Sequence, residues 1–265
     1  MFLRDILKQP VRFMELNLKN KPVLVVGASK GIGKAIALGF ASEGSKLVII
    51  ARSKDIIEEV KKECLKVGAV SCEAMVADIT KEPRKVAETC LKKFGSFDVV
   101  VHCVGTSLVP RDIFGSEEDY LAALNENALA SIQMNAVLIP DMISKGIKGH
   151  VVHVSSISAI NLRGNALYAS SKAFLNAYVT SAGRQVAPKG ICLNSVMPGA
   201  VTFPGGYWDT AIQAKEPKVQ DFLSHHQAVG RFGEADEIAN LVLFLASDKS
   251  SFIVASNLPI DGGAM

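Results

Sequence analysis

The chain contains 265 residues, of which 49% are hydrophobic and 21% are charged, and its formal net charge is +3. This composition favours a folded globular domain and excludes a disordered chain. The Lys and Arg residues are scattered and no apolar run reaches the length of a membrane span, so we expect neither nucleic acid nor a membrane as a partner.

The amino-terminal segment MFLRDILKQPVRF is interrupted by Arg4, Asp5 and Lys8. It therefore lacks the apolar core of a signal peptide, and we expect a cytoplasmic protein. Five cysteines lie far apart, without a C-x-x-C pair or a His/Cys ligand spacing, which argues against a metal site and against a disulfide framework. They are Cys64, Cys72, Cys90, Cys103 and Cys192.

The first chemically suggestive stretch is VVGASKGIGKAIALGF, Val25 to Phe40. It places Gly27, Gly31 and Gly33 between an apolar run and a helix-like run. The spacing is G-x-x-x-G-x-G, not the G-x-G-x-x-G of the standard Rossmann fingerprint. Taken alone, this stretch fits either a dinucleotide cradle or a plain glycine-rich turn.

Short apolar, β-branched runs then alternate with longer amphipathic runs along the chain. Their near-continuous apolar character is typical of parallel strands that are covered on both faces. The expected strands are PVLVVG, KLVIIA, VSCEAMVA, FDVVVHC, HVVHVSS, ICLNSVM and IVASNLPI. The expected helices span residues 32–43, 54–67, 83–94, 117–140, 166–187 and 235–247. This alternation predicts an α/β fold, a single-domain Rossmann-like doubly wound parallel sheet of about seven strands with helices on both faces.

One segment, residues 198–230, breaks this rhythm and shows no strand period. Ligands of open α/β sheets bind beyond the carboxyl ends of the strands, so a long irregular insertion here predicts a substrate lid around 200–230. A passive surface loop is the alternative. The aromatic residues of the segment could pack on a ring or a sugar face. They are Phe203, Tyr207, Trp208 and Phe222.

The segment VVHVSSISAINLRGNALYASSKAFLNAY carries the strongest chemical signal. Tyr168 and Lys172 are four residues apart at the start of a helical pattern, so the ammonium can lie beside the phenol. A nearby positive charge favours a phenolate, and we expect Lys172, together with a cationic nicotinamide ring, to lower the pKa of Tyr168. Ser156, at the end of the preceding strand, could donate a hydrogen bond to a substrate oxygen, with Ser155 as its rival.

Taken together, these motifs resemble the short-chain dehydrogenase/reductase superfamily over about residues 14–265. The glycine-rich loop, the Tyr-x-x-x-Lys pair and the carboxyl-terminal GRFGEADEIANLVLFLASD all occur in the order of that family. The resemblance favours the cradle interpretation of the glycine stretch. It implies an amino-terminal extension and lead-in at residues 1–20 and one dinucleotide-binding, catalytic domain at 21–265. Residues 1–13 are either a true extension or an upstream reading of the start codon.

The resemblance also assigns roles to individual residues. Tyr168 is the general acid in reduction and the base in oxidation, and Ser156 stabilises the substrate oxygen. Lys172 acts on Tyr168 and holds the nicotinamide ribose, and Asn127 keeps the proton relay aligned. Asn194 is implied to line the nicotinamide. The implied cofactor-binding residues are Gly27, Ser29, Lys30, Gly31, Ile32, Gly33, Arg52, Asp78, Ile79, Gly105, Tyr168, Lys172, Pro198, Gly199, Val201 and Thr202.

Charge predicts which dinucleotide binds. An acidic residue just past the second strand binds a free 2′-hydroxyl, but here Ala51 stands at that position and Arg52 follows it. Lys30 adds a second positive charge on the same side. A 2′-phosphate suits an arginine fork, so we expect NADP(H) to be preferred over NAD(H).

The sequence departs from the family pattern after the fourth strand. Asn-Asn-Ala-Gly is usual there, whereas this chain has His102-Cys103-Val104-Gly105. The change bears on cofactor affinity more than on catalysis, and we interpret His102 as a structural histidine on a buried strand. His225 and His226, in the expected lid, are interpreted as a solvated pair.

The leading function is an NADP(H)-dependent oxidoreductase that interconverts a carbonyl and a secondary alcohol, with a cyclic ketone or a sugar-derived compound as substrate. A β-ketoacyl thioester reductase is the alternative within the family. Two alternatives belong to other functional classes. One is a catalytically silent dinucleotide-binding protein, and the other is a lyase or epimerase that uses Tyr168 as a base on the same scaffold. The resemblance also implies a homodimer or homotetramer.

Overall fold

The computed structural model describes residues 14–107, 113–162 and 165–264. Most of the expected amino-terminal extension, residues 1–13, lies outside the described residues. No helix among the described residues is both long enough and apolar enough to cross a bilayer.

The strands of the described residues are β1 (Pro22–Val26), β2 (Lys46–Ala51), β3 (Ser71–Val76), β4 (Val99–His102), β5 (His150–Val154), β6 (Cys192–Pro198), β7 (Val201–Thr202), β8 (Gly233–Glu234) and β9 (Asn257–Ile260). Seven of them form one sheet in the order β3-β2-β1-β4-β5-β6-β9, while β7 pairs with β8. All of these pairings are parallel. The predicted doubly wound α/β sheet is therefore confirmed.

The α-helices are α1 (Gly31–Ser42), α2 (Lys54–Val67), α3 (Pro83–Phe94), α4 (Glu117–Leu124), α5 (Ala130–Ser144), α6 (Ser158–Asn161), α7 (Ala166–Val186), α8 (Tyr207–Gln213), α9 (Pro217–His226) and α10 (Ala235–Leu245). The helix expected over 117–140 continues to residue 144, and a π-helical turn (Asn125–Leu129) joins α4 to α5. Short 3-10 turns occupy Ala187–Lys189 and Asp248–Ser250.

The expectation of an irregular segment over 198–230 is wrong, because this part of the chain contains β7, α8 and α9. Pro217 is the first residue of α9, where its fixed φ and missing N–H suit a helix start. Both helices have ten residues or fewer, and so short an amphipathic run shows little period in a sequence window.

Two apolar layers cover the sheet. One layer packs α1, α2 and α10 against one face, and the other packs α3, α5 and α7 against the opposite face. From β1 to β3, successive strands add to one side of the sheet, and from β4 onward they add to the other side. The strand order therefore reverses between the neighbouring strands β1 and β4. The carboxyl ends of β1, β4, β5 and β6 therefore meet at the crevice where open α/β sheets bind ligands.

Candidate active site

The glycine-rich loop connects β1 to α1 with very little space around its backbone. Gly27 has φ +88°, and a Cβ there would overlap the carbonyl oxygen of Cys103, while a Cβ on Gly33 would overlap the carbonyl oxygen of Gly27. Side chains are therefore excluded at both positions. The loop thereby holds the start of α1 close to the ends of β1 and β4.

The amino terminus of α1 fits an anion. The helix begins at Gly31, and Lys30 occupies the N-cap position without a side-chain cap, so Gly31, Ile32 and Gly33 offer the first N–H groups of the helix. Lys30 is exposed, and Ser29 is half-buried beside it. This combination suits the pyrophosphate of a dinucleotide.

Arg52 and Asp78 follow β2 and β3 at the same edge of the sheet. Arg52 is exposed, and the carboxylate of Asp78 accepts hydrogen bonds from the N–H and the hydroxyl of Thr80 at 3.0 and 2.7 Å. The Thr80 hydroxyl, with help from the positive charge of Arg52, lowers the pKa of Asp78. Ile79 is buried in the apolar layer below. The structure thus brings both predicted adenosine contacts to one edge.

Gly105 lies against two other site residues, Asn127 and Lys172. It has φ +138°, and a Cβ there would lie 2.6 Å from Oδ1 of Asn127 and 2.9 Å from Nζ of Lys172. The Asn127 side chain accepts a hydrogen bond from the N–H of Thr106 at 2.9 Å and donates one to the carbonyl of Ala123 at 3.0 Å. Asn127 lies in the π-helical turn, which the sequence did not indicate.

Three backbone carbonyls surround the ammonium of Lys172. Its Nζ donates to the carbonyl oxygens of Val154 at 3.1 Å, Val104 at 3.4 Å and Asn127 at 3.4 Å. The residue is only 2% exposed, and burial lowers the pKa of the ammonium to about 8. The carbonyls offset part of that burial cost because they bind only the charged form.

Tyr168 lies one turn before Lys172 on α7. Asn165 caps this helix by accepting hydrogen bonds from the N–H groups of Leu167 and Tyr168. The Lys172 ammonium lies 6.0 Å from the centre of the Tyr168 ring. The structure thus brings together the phenol and the ammonium that the sequence paired.

Lys172 alone does not lower the pKa of Tyr168 among the described residues. Burial raises the pKa of this phenol, and a hydrogen bond with Ser156 opposes the rise. At 6.0 Å the ammonium lies over the ring and is directed at backbone carbonyls rather than at the phenolic oxygen. Tyr168 is consequently a protonated phenol at neutral pH.

The two candidate serines have different surroundings. The hydroxyl of Ser155 donates to the backbone carbonyl of Lys172 at 3.5 Å, so it faces the helix. The hydroxyl of Ser156 accepts from the N–H of Ser158 at 3.1 Å and interacts with Tyr168. Ser156 is the serine that lies beside the phenol.

Backbone hydrogen bonds hold the predicted segment at the end of β6 against its neighbours. The carbonyl of Pro198 accepts from the N–H of Ile157 at 3.0 Å, and the N–H of Gly199 donates to the carbonyl of Ile260 at 3.1 Å. Val201 and Thr202 are half-buried in the β7–β8 pair.

The side chain of Asn194 has a structural role instead of lining the site. It is fully buried, donates to the carbonyl of Ile253 at 2.7 Å and accepts from the N–H of Ser256 at 3.0 Å. Both of its polar ends therefore hold the segment that leads into β9.

The aromatic residues of the expected lid pack mainly on one another. The ring centre of Trp208 lies 4.4 Å from that of Phe222 and 4.7 Å from that of Phe232. These three rings form a small apolar core under α8 and α9, because so short a helical pair must bury its own apolar faces. The expectation that Trp208 and Phe222 offer a stacking surface to substrate is not supported. Phe203 lies against Gly31, so the segment contacts the glycine-rich loop directly.

The histidines have the surroundings that the sequence indicated for His102 and His225. His102 is buried, as expected for a structural residue of β4, and His225 is exposed beside Asp221. His226 is only half exposed and packs its ring 5.4 Å from that of Phe222. His226 therefore contributes to the lid core rather than to a solvated pair.

A cavity of about 730 Å³ lies further along α7, against β6 and β9. Its lining includes Asn176, Thr180, Arg184 and Asn257, but neither Tyr168 nor Lys172. The residues with reactive geometry are therefore in the open crevice and not in this cavity.

Comparison with known proteins gives consistent matches over nearly the whole chain. The family described as enoyl-(acyl carrier protein) reductase matches residues 27–265. A 3-oxoacyl-acyl-carrier-protein reductase of Thermotoga maritima is 32% identical, over 94% of this chain and 99% of that protein.

Two solved structures extend the comparison. An L-sorbose reductase of Gluconobacter frateurii, complexed with NADPH and L-sorbose, is 27% identical with a TM-score of 0.87 and covers 94% of this chain and 98% of its own. A 7α-hydroxysteroid dehydrogenase, complexed with NADH and 7-oxo glycochenodeoxycholic acid, is 28% identical with a TM-score of 0.85 and covers 96% and 98%.

Proposed function

The chain belongs to the short-chain dehydrogenase/reductase superfamily, and we propose that it is an NADP(H)-dependent reductase in which Tyr168 supplies the proton that converts a carbonyl into a secondary alcohol. It is an oxidoreductase that acts on the CH–OH/C=O pair and uses a pyridine nucleotide. The observation that carries the proposal is the grouping of Tyr168, Ser156 and Lys172 at the carboxyl ends of the strands.

The chain's own residues handle the substrate oxygen. A nicotinamide dinucleotide, when bound, supplies the hydride. Tyr168 donates its phenolic proton to the oxygen as negative charge develops there, and Ser156 donates a hydrogen bond to the same oxygen. Because burial raises the pKa of Tyr168, the phenol holds its proton at neutral pH, which suits reduction. Lys172 places a positive charge beside this group, and Asn127 orders the backbone around it.

The residues at the crevice fit an anionic dinucleotide. The first N–H groups of α1 and the exposed Lys30 suit the pyrophosphate, and we assign the adenine to Asp78 and Ile79. We assign the nicotinamide end of the dinucleotide to a second group of residues, which are Gly105, Pro198, Gly199, Val201 and Thr202. We assign the 2′-phosphate to Arg52, which follows β2 without an acidic residue before it. NADPH in the L-sorbose reductase supports this preference, while NADH in the hydroxysteroid dehydrogenase shows that the fold accepts both.

For the substrate we retain a sugar-derived compound or a cyclic ketone. Support comes from the two related structures, of which one holds L-sorbose and the other an oxo bile acid. The similarity to the 3-oxoacyl-acyl-carrier-protein reductase of Thermotoga maritima supports a β-ketoacyl thioester as the alternative substrate. The aromatic residues of α8 and α9 do not favour any of these, since they pack on one another.

Three further features belong to the proposal. Residues 21–265 form one catalytic domain, with the segment 200–230 acting as a lid that approaches the glycine-rich loop through Phe203. The five cysteines are free thiols, which suits a reducing compartment such as the cytoplasm. The chain assembles as a homodimer or homotetramer, as the family resemblance implies.

The test is a carbonyl panel with purified protein and NADPH. The panel contains ketoses, cyclic ketones and a β-ketoacyl thioester, and Tyr168→Phe is the blank. We expect turnover of a ketose or cyclic ketone that the blank lacks. Faster turnover of the thioester would overturn the substrate proposal, and equal rates in the blank would overturn the role of Tyr168.

The cofactor preference has a separate test. Titration with NADPH and NADH is made on the wild type, on Arg52→Ala and on the control Arg84→Ala, which removes an exposed arginine of α3. We expect Arg52→Ala to weaken NADPH binding about tenfold, or about 1.4 kcal/mol, and to leave NADH binding unchanged. Equal losses for both cofactors would contradict the assignment of Arg52 to the phosphate.

A further inference from the structure

A buried polar cluster lies directly behind Lys172. It consists of His102 on β4, His153 on β5, and Ser131 and Asn135 on α5, all at most 2% exposed, together with the hydroxyl of Tyr178 on α7. The two imidazoles stack with ring centres 4.7 Å apart. Neither the glycine loop nor the Tyr-x-x-x-Lys pair accounts for this cluster.

The hydrogen bonds of the cluster define one consistent pattern of donors and acceptors. Asn135 Oδ1 lies 2.8 Å from Nε2 of His102, so that imidazole nitrogen carries a proton and donates. Asn135 Nδ2 donates to Nε2 of His153 at 2.9 Å and to the hydroxyl of Tyr178 at 3.4 Å. Asn135 therefore joins β4, β5 and α7 through a single amide.

The same pattern continues to the π-helical turn. Because Nε2 of His153 accepts, its Nδ1 carries the proton and donates to the hydroxyl of Ser131 at 3.4 Å. That hydroxyl donates in turn to the carbonyl of Ala128 at 2.8 Å. Among the described residues, Nδ1 of His102 has no hydrogen-bond partner, and leaving a buried acceptor unpaired costs stability.

Three of the segments that the cluster joins each supply one of the carbonyls around Lys172. Val104 comes two residues after His102, Val154 follows His153, and Asn127 precedes Ala128. The cluster and the ammonium therefore fix the same three pieces of backbone from opposite ends.

We propose that Asn135 is a positioning residue that, through His102, His153 and Ser131, holds the three carbonyls of Val104, Val154 and Asn127 in place around the ammonium of Lys172. This inference deepens the proposed function, on which the role of Lys172 in the reaction rests. Removing the Asn135 amide breaks the hydrogen bonds from α5 to His102 on β4 and to Nε2 of His153 on β5, so the carbonyls are held less firmly around Nζ. The charged form of Lys172 then loses hydrogen bonds and its proton is bound less tightly.

Several titratable groups face Lys172 and must be considered with it. Tyr168 lies on the same helix, Cys103 follows β4, and His153 lies on β5 with His102 behind it. Burial raises the pKa of Cys103 to about 12 and lowers the pKa of both histidines, so all three are neutral at pH 7. The ammonium of Lys172 is thus the charged member of this group at that pH.

The experiment measures the titration of Lys172 directly. Protein containing lysine isotopically labelled at the ε-carbon is titrated by NMR, and the Lys172→Met variant identifies the resonance. The wild type is compared with Asn135→Ala and with the milder Ser131→Ala. The matched control is His150→Ala, which removes another buried imidazole of β5, one that bonds to the carbonyl of Leu245 at 2.9 Å and not to the cluster.

We expect the titration midpoint of the Lys172 ammonium to fall by about half a pH unit or more in Asn135→Ala and in Ser131→Ala. The same midpoint should remain unchanged in His150→Ala. The basic limb of the kcat/KM profile should move in the same direction. An unchanged midpoint in both cluster variants overturns the proposal, even if both are less stable. If Asn135→Ala does not fold, Ser131→Ala gives the same decision.

This design separates the two proposals. A lowered midpoint without NADPH-dependent turnover of any carbonyl would refute the proposed function and retain the positioning role of Asn135. NADPH-dependent turnover with an unchanged titration midpoint of Lys172 and an unchanged pH profile would retain the proposed function and refute the positioning role of Asn135.

Discussion

Lowering the pH from about 7 to about 5 is expected to destabilise the fold through His102 and His153. Both histidines are only 1% exposed, and burial is the main reason that their pKa values are lowered. The unfolded chain binds protons at these sites more readily than the folded chain. The stabilisation is therefore complete above a pH of about 6.5 and is lost as the pH falls toward about 4.

The magnitude follows from His102 alone. Its pKa is lowered from 6.5 to about 4. Since each pKa unit is worth about 1.4 kcal/mol, the free energy of unfolding should decrease by about 2 kcal/mol between pH 7 and pH 5. His153 adds to the loss in the same direction.

Urea unfolding at both pH values tests this expectation on the wild type and on His102→Asn. The variant has no ionisable group at position 102. Its free energy of unfolding should therefore fall by about 2 kcal/mol less than that of the wild type between pH 7 and pH 5. His225→Asn, which removes an exposed imidazole of α9, is the control for losing a histidine. Equal acid sensitivity in His102→Asn and the wild type would refute the reasoning.

Three further predictions concern the site and the lid. Tyr168→Phe should lower kcat by about 10²- to 10⁴-fold and reduce cofactor affinity far less, as measured by turnover and by titration. Gly105→Ala should weaken cofactor binding and lower Tm, because the new Cβ meets Asn127 Oδ1 at a backbone with positive φ. Trp208→Ala should make the segment 200–230 more sensitive to limited proteolysis and raise the KM for substrate, because Phe222 and Phe232 lose their packing partner.

Different observations would contradict these predictions. A loss of cofactor affinity as large as the loss of kcat in Tyr168→Phe would contradict the assignment of Tyr168 as the proton donor. Unchanged cofactor affinity and Tm in Gly105→Ala would show that the crevice tolerates a side chain there. Uniform proteolysis along the whole chain of Trp208→Ala would assign the aromatic rings to the main fold and not to a lid.

Strong local signals made most of the fold predictable. The buried strands are short apolar runs bounded by turn residues, and α2 and α3 begin and end at the predicted residues. Both helices carry clear amphipathic patterns, and each is followed by a glycine, Gly68 or Gly95, with positive φ. Tyr168 and Lys172 could be paired because a helical spacing of four fixes their relative positions.

The features that sequence reasoning missed depend on contacts between distant residues. The π-helical turn at 125–129 is a local shift in hydrogen bonding within a continuous helix, and it leaves no period in the sequence. The cluster around Asn135 joins residues that are 18 to 43 positions apart. The direction of the pKa shift of Tyr168 was also out of reach, because burial of the phenol is a property of the packed structure.

The most direct test of the central claim is an isotope-transfer measurement. The protein is incubated with NADPH that carries deuterium at the reactive nicotinamide carbon and with the best carbonyl substrate of the panel, and the product is analysed by mass spectrometry. Carbonyl reduction with Tyr168 as the acid predicts one deuterium at the new carbinol carbon, and formation of the deuterated alcohol at least about 10²-fold slower with Tyr168→Phe. A product without deuterium, formed without consumption of NADPH, would contradict hydride transfer and indicate a lyase or epimerase reaction on the same residues.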